Sequence, residues 1–164
     1  MKIVIITVGQ PRNQNIAELI NEYSKRCRPF MPLEFEHVPE ARGASAPEKA
    51  IEQESDGLLK RIKDRDYLVL LDEKGEQFTS VAFSQWVYRS IGEVRGRLVF
   101  VIGGSHGVAE RVKKRSQVKI ALSMLTFPHE LCLLFLTEQL SPFMKECRII
   151  INYSRREVEH YENG

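Results

Sequence analysis

Short apolar runs alternate along this chain with stretches in which apolar residues return every three or four positions. IVIITV (3–8), YLVLL (67–71) and LVFVI (98–102) are nearly unbroken runs, as strands buried on both faces require. LEFEHV (33–38) alternates instead, which predicts a strand with one wet face, and IALSML (120–125) predicts a short fifth strand. Ile16, Leu19, Ile20 and Tyr23 predict a helix over 15–27 that ends before Pro29. Ser45 and Glu48 have the spacing of a capping box and open a helix through Ile51, Leu58, Leu59 and Ile62. Phe83, Trp86, Val87 and Ile91 mark a third helix face, and FPHELCLLFLTEQL (127–140) a strongly apolar last one with Pro128 in its first turn. Strands that alternate with helices in this way predict an α/β fold, a mostly parallel sheet flanked by helices.

In an open parallel sheet, ligands sit beyond the carboxyl ends of the strands. Here those ends are Gly9, Leu71-Asp72, Gly103-Gly104 and the turn after Leu125, with DEKGEQFTS (72–80) read as a turn. The glycine pair follows the fourth strand with G-G-x-x-G spacing, so it is not a dinucleotide fingerprint, and no P-loop occurs. Taken alone, the pair is a tight turn using glycine where φ must be positive.

Charge and composition narrow the field further. The net charge of +2 carries no global signal for nucleic acid. The local run RVKKRSQVK (111–119), however, holds Arg111, Lys113, Lys114, Arg115 and Lys119 without an acid, as a phosphate-facing patch or a solvated helix face would. Cys27, Cys132 and Cys147 form no CxxC pair, and neither they nor the four histidines have metal-ligand spacing, so no metal is expected. No signal-peptide pattern or membrane-length apolar stretch occurs, which predicts a cytoplasmic protein. With no repeat or linker, residues 1–164 read as one domain.

A longer set of motifs then stands out in order: MKIVIITVGQ (1–10), EYSKR (22–26), LLDEKGEQFTS (70–80), RLVFVIGGSHG (97–107), ALSMLTFPHEL (121–131) and Glu138-Gln139. In that order the chain resembles the SPOUT, or α/β-knot, methyltransferases. More closely it resembles the RlmH family, which methylates ring nitrogen 3 of a pseudouridine in large-subunit (23S) ribosomal RNA. The resemblance implies a SPOUT-like α/β fold with a C-terminal trefoil knot, a homodimer, and S-adenosylmethionine as cofactor. It places the cofactor against Leu71, Gly103, Gly104 and the run Leu122, Ser123, Met124, Leu125, Thr126 and Phe127. Physically, glycine lets backbone N–H and C=O groups reach the edge of adenine, while Leu and Met side chains cover its faces. The implied partner is 23S ribosomal RNA, free or in an assembled ribosome.

The C-terminal end departs from that family. Leu133 stands where family members carry Arg, and Glu138-Gln139-Leu140 runs into Ser141-Pro142-Phe143 instead of Tyr-Arg-Ala. Pro142 predicts a stop or kink near Leu140. The divergent tail, 141–164, ends with His160 and Tyr161 in the reverse of the family's order; they are the candidate catalytic residues, His160 as a base. Of the other histidines, His37 is expected on the wet strand face, His106 in the glycine turn, and His129 at the helix start. Two other functions compete with the methyltransferase. One is a catalytically impaired, cofactor-binding knot protein that acts as an RNA-binding or ribosome-associated module. The other is an unrelated α/β nucleotide binder.

Overall fold

The structure, a computed structural model, describes residues 2–141. Five strands form one sheet: β1 (Ile3–Val8), β2 (Leu33–Val38), β3 (Tyr67–Gln77), β4 (Leu98–Ile102) and β5 (Val118–Ala121). Their order is β2-β1-β4-β3-β5, and every pairing is parallel. The helices between them are α1 (Gln14–Cys27), α2 (Pro47–Arg61), α3 (Ser80–Glu93) and α4 (Glu110–Arg115). The last helix among the described residues, α5, spans 129–141. Pro142, Cys147, His160 and Tyr161 lie outside the described residues; near Leu140, where a stop or kink is expected, the chain is helical as far as Ser141, the last described residue.

The unbroken apolar runs are explained by a core on each side of the sheet. On one face Ile3, Ile5, Val69, Leu98, Phe100 and Ile102 pack with Ile20 of α1, Phe83 and Val87 of α3, and Leu133, Leu136 and Leu140 of α5. On the other face Val4, Ile6, Val8, Leu68, Leu70, Val99 and Val101 pack with Leu58 of α2 and Val112 of α4. Strand side chains alternate between faces, so only continuous apolar sequence satisfies both layers.

Two expectations are corrected. The capping box at Ser45 does not form: the N-cap of α2 is Ala46, with no side-chain cap bond, and Pro47 supplies the first turn. Proline there needs no capped N–H of its own, which removes part of the demand for a cap. Nor do residues 72–77 lie beyond the strand. β3 continues to Gln77 through an irregularity, and Ile120 of β5 partners both Leu71 and Glu76. The turn-forming residues are real, with Lys74 N–H donating to Asp72 Oδ1 at 2.9 Å, but they make an excursion inside a strand. Gly75 permits it: a β-carbon there would lie 2.6 Å from Ile120 N and from Lys119 C. Gly75→Ala is therefore expected to cost about 1–3 kcal/mol, read as a lower urea midpoint, because backbone cannot step aside as a side chain can.

Candidate functional site

Since all five strands are parallel, their carboxyl ends share one edge, and the strand order decides which exits become neighbours. Leu71 of β3 pairs with Ile102 of β4 on one side and Ile120 of β5 on the other. The exits at Leu71, Gly103-Gly104 and Leu122 therefore lie side by side. The segment after β5 then crosses to α5. Thr126 Oγ1 donates to Glu73 Oε2 at 2.9 Å, tying this crossing to the excursion in β3, and Leu125 N–H donates to Ser123 Oγ at 3.0 Å. Met124 and Leu125 are 82% and 70% exposed, although both are large apolar side chains. Phe127 meets Phe135 of α5 edge to face, 5.3 Å between ring centres.

The glycine pair does not act through positive φ. Within that turn only Gly107 has one, +83°. Gly103 and Gly104 serve close approach instead: a β-carbon on Gly103 would sit 2.7 Å from Val108 Cγ1, and one on Gly104 2.6 Å from Glu54 Oε2.

Beside Gly104 opens a cleft of about 550 Å³, walled by the 40–47 loop, the start of α2, the Gly104–His106 turn and the start of α5. Its charges are largely paired. Glu40 accepts from Arg12 Nη2 at 2.5 Å, with Arg42 at 3.9 Å, and Glu130 accepts the Arg12 backbone N–H at 2.9 Å. His129 does more than open the helix. Its Nε2 faces Glu40 Oε1 at 3.8 Å, beyond hydrogen-bond range, and is sealed from solvent without a partner among the described residues. Glu54 of α2 is nearly buried at 8% exposure, and its Oε1 accepts Ala41 N–H at 3.1 Å. His37 is corrected: it is half-buried rather than wet, with Nδ1 2.7 Å from Thr7 Oγ1, and burial holds its pKa below the usual histidine value. Glu54 and Glu40 lie in no motif, His129 lies in ALSMLTFPHEL (121–131), and only folding assembles the three.

A family model described as "Predicted SPOUT methyltransferase" matches residues 1–147. The chain belongs to the SPOUT methyltransferase family. Among its SPOUT relatives are proteins named ribosomal RNA large subunit methyltransferase H. That of Parabacteroides distasonis is 40% identical over 142 residues, 85% of this chain and 90% of the relative. That of Cytophaga hutchinsonii is 37% identical over 151 residues, 92% and 96% of the two chains. That of Dictyoglomus thermophilum is 35% identical over 162 residues, 98% of this chain and all of the relative, so its alignment runs into the tail.

In this SPOUT chain the basic run divides into two groups. Arg111 is held against α2, 2.6 Å from both Glu52 Oε2 and Asp56 Oδ1. Arg115 donates to the carbonyls of Lys63 and Asp66 at 2.9 and 3.1 Å. Lys113, Lys114 and Lys119 form no ion pair among the described residues, and Lys114 and Lys119 are exposed. Leu133, where the family pattern has Arg, is 2% exposed in the core. Among the described residues no cluster of three His, Cys, Asp or Glu side chains is placed to hold a metal, and no helix is long and apolar enough to cross a membrane.

Proposed function

We propose that this SPOUT protein transfers a methyl group from S-adenosylmethionine to nitrogen 3 of a pseudouridine in large-subunit ribosomal RNA, as one domain acting in the cytoplasm as a homodimer. The observation that carries the reading is the adjacency of the three exits at Leu71, Gly103-Gly104 and Leu122–Phe127, in a chain whose full-length relatives are named for methylating that RNA. The residues fit the cofactor: two glycines without room for a β-carbon bring backbone close, and Leu71, Leu122, Met124 and Leu125 offer apolar cover. The C-terminal knot belongs to the same reading.

S-adenosylmethionine, when bound, supplies a methyl already activated on a sulfonium. The protein's own task is then to exclude water, align the acceptor nitrogen in line with the methyl and let its proton leave. The imide nitrogen is mildly acidic, so a weak base suffices; in this reading His160, with Tyr161, is the candidate. The exposed Met124, Leu125 and Phe135 provide apolar surface for a second copy.

Lys113, Lys114 and Lys119 are the free cations of the run and the proposed phosphate contacts, whereas Arg111 and Arg115 must first release their partners. Lys114→Glu with Lys119→Glu is expected to weaken RNA binding across sequences and to flatten its salt dependence by about 2 in log–log slope. The reading itself is tested by mass spectrometry of ribosomal RNA incubated with the protein and S-adenosylmethionine. A methyl on pseudouridine is expected; its absence, or no cofactor binding by calorimetry at millimolar ligand, would overturn it. The impaired-module reading gains no support, because the relatives that carry the enzyme name include one aligned through the divergent tail.

A further inference from the structure

Glu54 is a nearly buried carboxylate with an incomplete set of partners. An ionised carboxylate offers about four acceptor positions, and burying one without compensating donors or a cation is costly. Glu54 receives one neutral donor, Ala41 N–H on Oε1. No described residue donates to Oε2, which is not sealed from solvent, and no arginine or lysine among them pairs with it; on the same cleft Arg12 is paired with Glu40, while Arg42, 79% exposed, stands 3.9 Å from Glu40. Oε2 instead lies against Gly104, 2.6 Å from where a β-carbon would be, so the glycine makes room for it. The cleft it lines has the volume of a small-ligand site and shares Gly104 with the proposed cofactor residues.

We propose that Glu54 is a specificity residue of the methyl transfer, its Oε2 accepting the N1–H of the target pseudouridine. This rests on the function proposed above. Pseudouridine is joined to ribose through carbon, so it presents N1–H where uridine presents C5–H, and the two bases otherwise share one hydrogen-bonding edge. A carboxylate in want of a donor separates them: it gains a charge-assisted hydrogen bond from pseudouridine and faces a C–H in uridine. N1 and N3 flank the same carbonyl carbon, so a hydrogen bond held at N1 also fixes the direction in which N3 points.

The test uses the full chain and large ribosomal subunits reconstituted with pseudouridine, uridine or N1-methylpseudouridine at the target position. The wild type is expected to methylate pseudouridine about 10- to 100-fold faster than either alternative, the range for a hydrogen bond to a charged group. Glu54→Gln keeps an oxygen for Ala41 N–H but turns a donor toward N1–H. It is expected to unfold at the wild-type temperature, bind S-adenosylmethionine with unchanged affinity, and lose most of the preference for pseudouridine over both analogues. An unchanged preference in the variant would overturn the inference and leave the methyltransferase intact. Lost S-adenosylmethionine affinity would also overturn it, by placing the cofactor's amino group at Glu54. Should the variant not fold, the wild type decides alone: equal rates on pseudouridine and its N1-methyl form sink the inference. No transfer by the wild type to any substrate would remove the proposed function, and this inference with it.

Discussion

Asp66→Ala is expected to remove about 3 kcal/mol of stability, seen as a lower urea midpoint with an unchanged slope. Asp66 lies just before β3, with its side chain 2% exposed, and Arg97, just before β4, is 15% exposed. The pair is bidentate: Arg97 Nε donates to Oδ1 at 2.9 Å and Nη2 to Oδ2 at 2.6 Å. Oδ2 also accepts Lys63 N–H at 2.7 Å, and Nη2 donates to the Arg61 carbonyl at 2.8 Å. One side chain thus secures the end of α2 and the entries to two central strands. Truncating it strands a guanidinium that Glu36, at 3.5 Å, compensates only weakly.

The same pair governs acid stability. Burial raises the Asp66 pKa, but the hydrogen bonds from Arg97 and Lys63 N–H and the Arg97 charge outweigh it and hold the carboxyl below its usual value. A carboxylate depressed on folding contributes stability that is fully present above its unfolded pKa, about 3.9, and is lost as pH falls through the lower native value. Asp66→Asn keeps the shape without the charge. Its unfolding free energy is expected to change less between pH 5 and pH 2 than that of the wild type; a parallel acid limb would show that Asp66 does not titrate on unfolding.

Gly104→Val is the second large effect expected, a fall of about 100-fold in S-adenosylmethionine affinity and a corresponding loss of methyl transfer. The position has no spare volume: a β-carbon would stand 2.6 Å from Glu54 Oε2 and 3.3 Å from Val8 Cγ1. With Glu54 and Val8 in the way, the turn backs into the neighbouring exits and disturbs the proposed cofactor contacts. Thermal unfolding monitored alongside separates lost binding from lost fold. A valine variant that binds the cofactor as the wild type does would remove Gly104 from the pocket.

The strands β1 and β4 were legible because burial on both faces demands unbroken apolar sequence, and a short run of that kind has few other stable uses. α1 and α3 were legible from 3.6-residue periodicity, with Asn13 and Thr79 supplying the side-chain caps that the structure records. The continuation of β3 was not, because D-E-K-G chemistry marks a turn, and whether a turn ends a strand or interrupts it depends on a partner strand 45 or so residues away. Glu54 sits in the polar stretch EKAIEQESDG and looks like any solvated helix acid; its burial comes from the Gly104 turn packing over α2.

Residue order therefore dictated the alternating elements, the parallel sheet and the ordered motifs of the SPOUT family, since each depends on contacts close along the chain or on periodicity within one element. Long-range packing had to act before β3 and β5 could flank a common excursion, Asp66 could find Arg97, or a buried carboxylate could be left with one partner at the mouth of a cleft. Those features join residues tens of positions apart, and nothing local distinguishes a charged side chain that folding will bury from one it will leave in water.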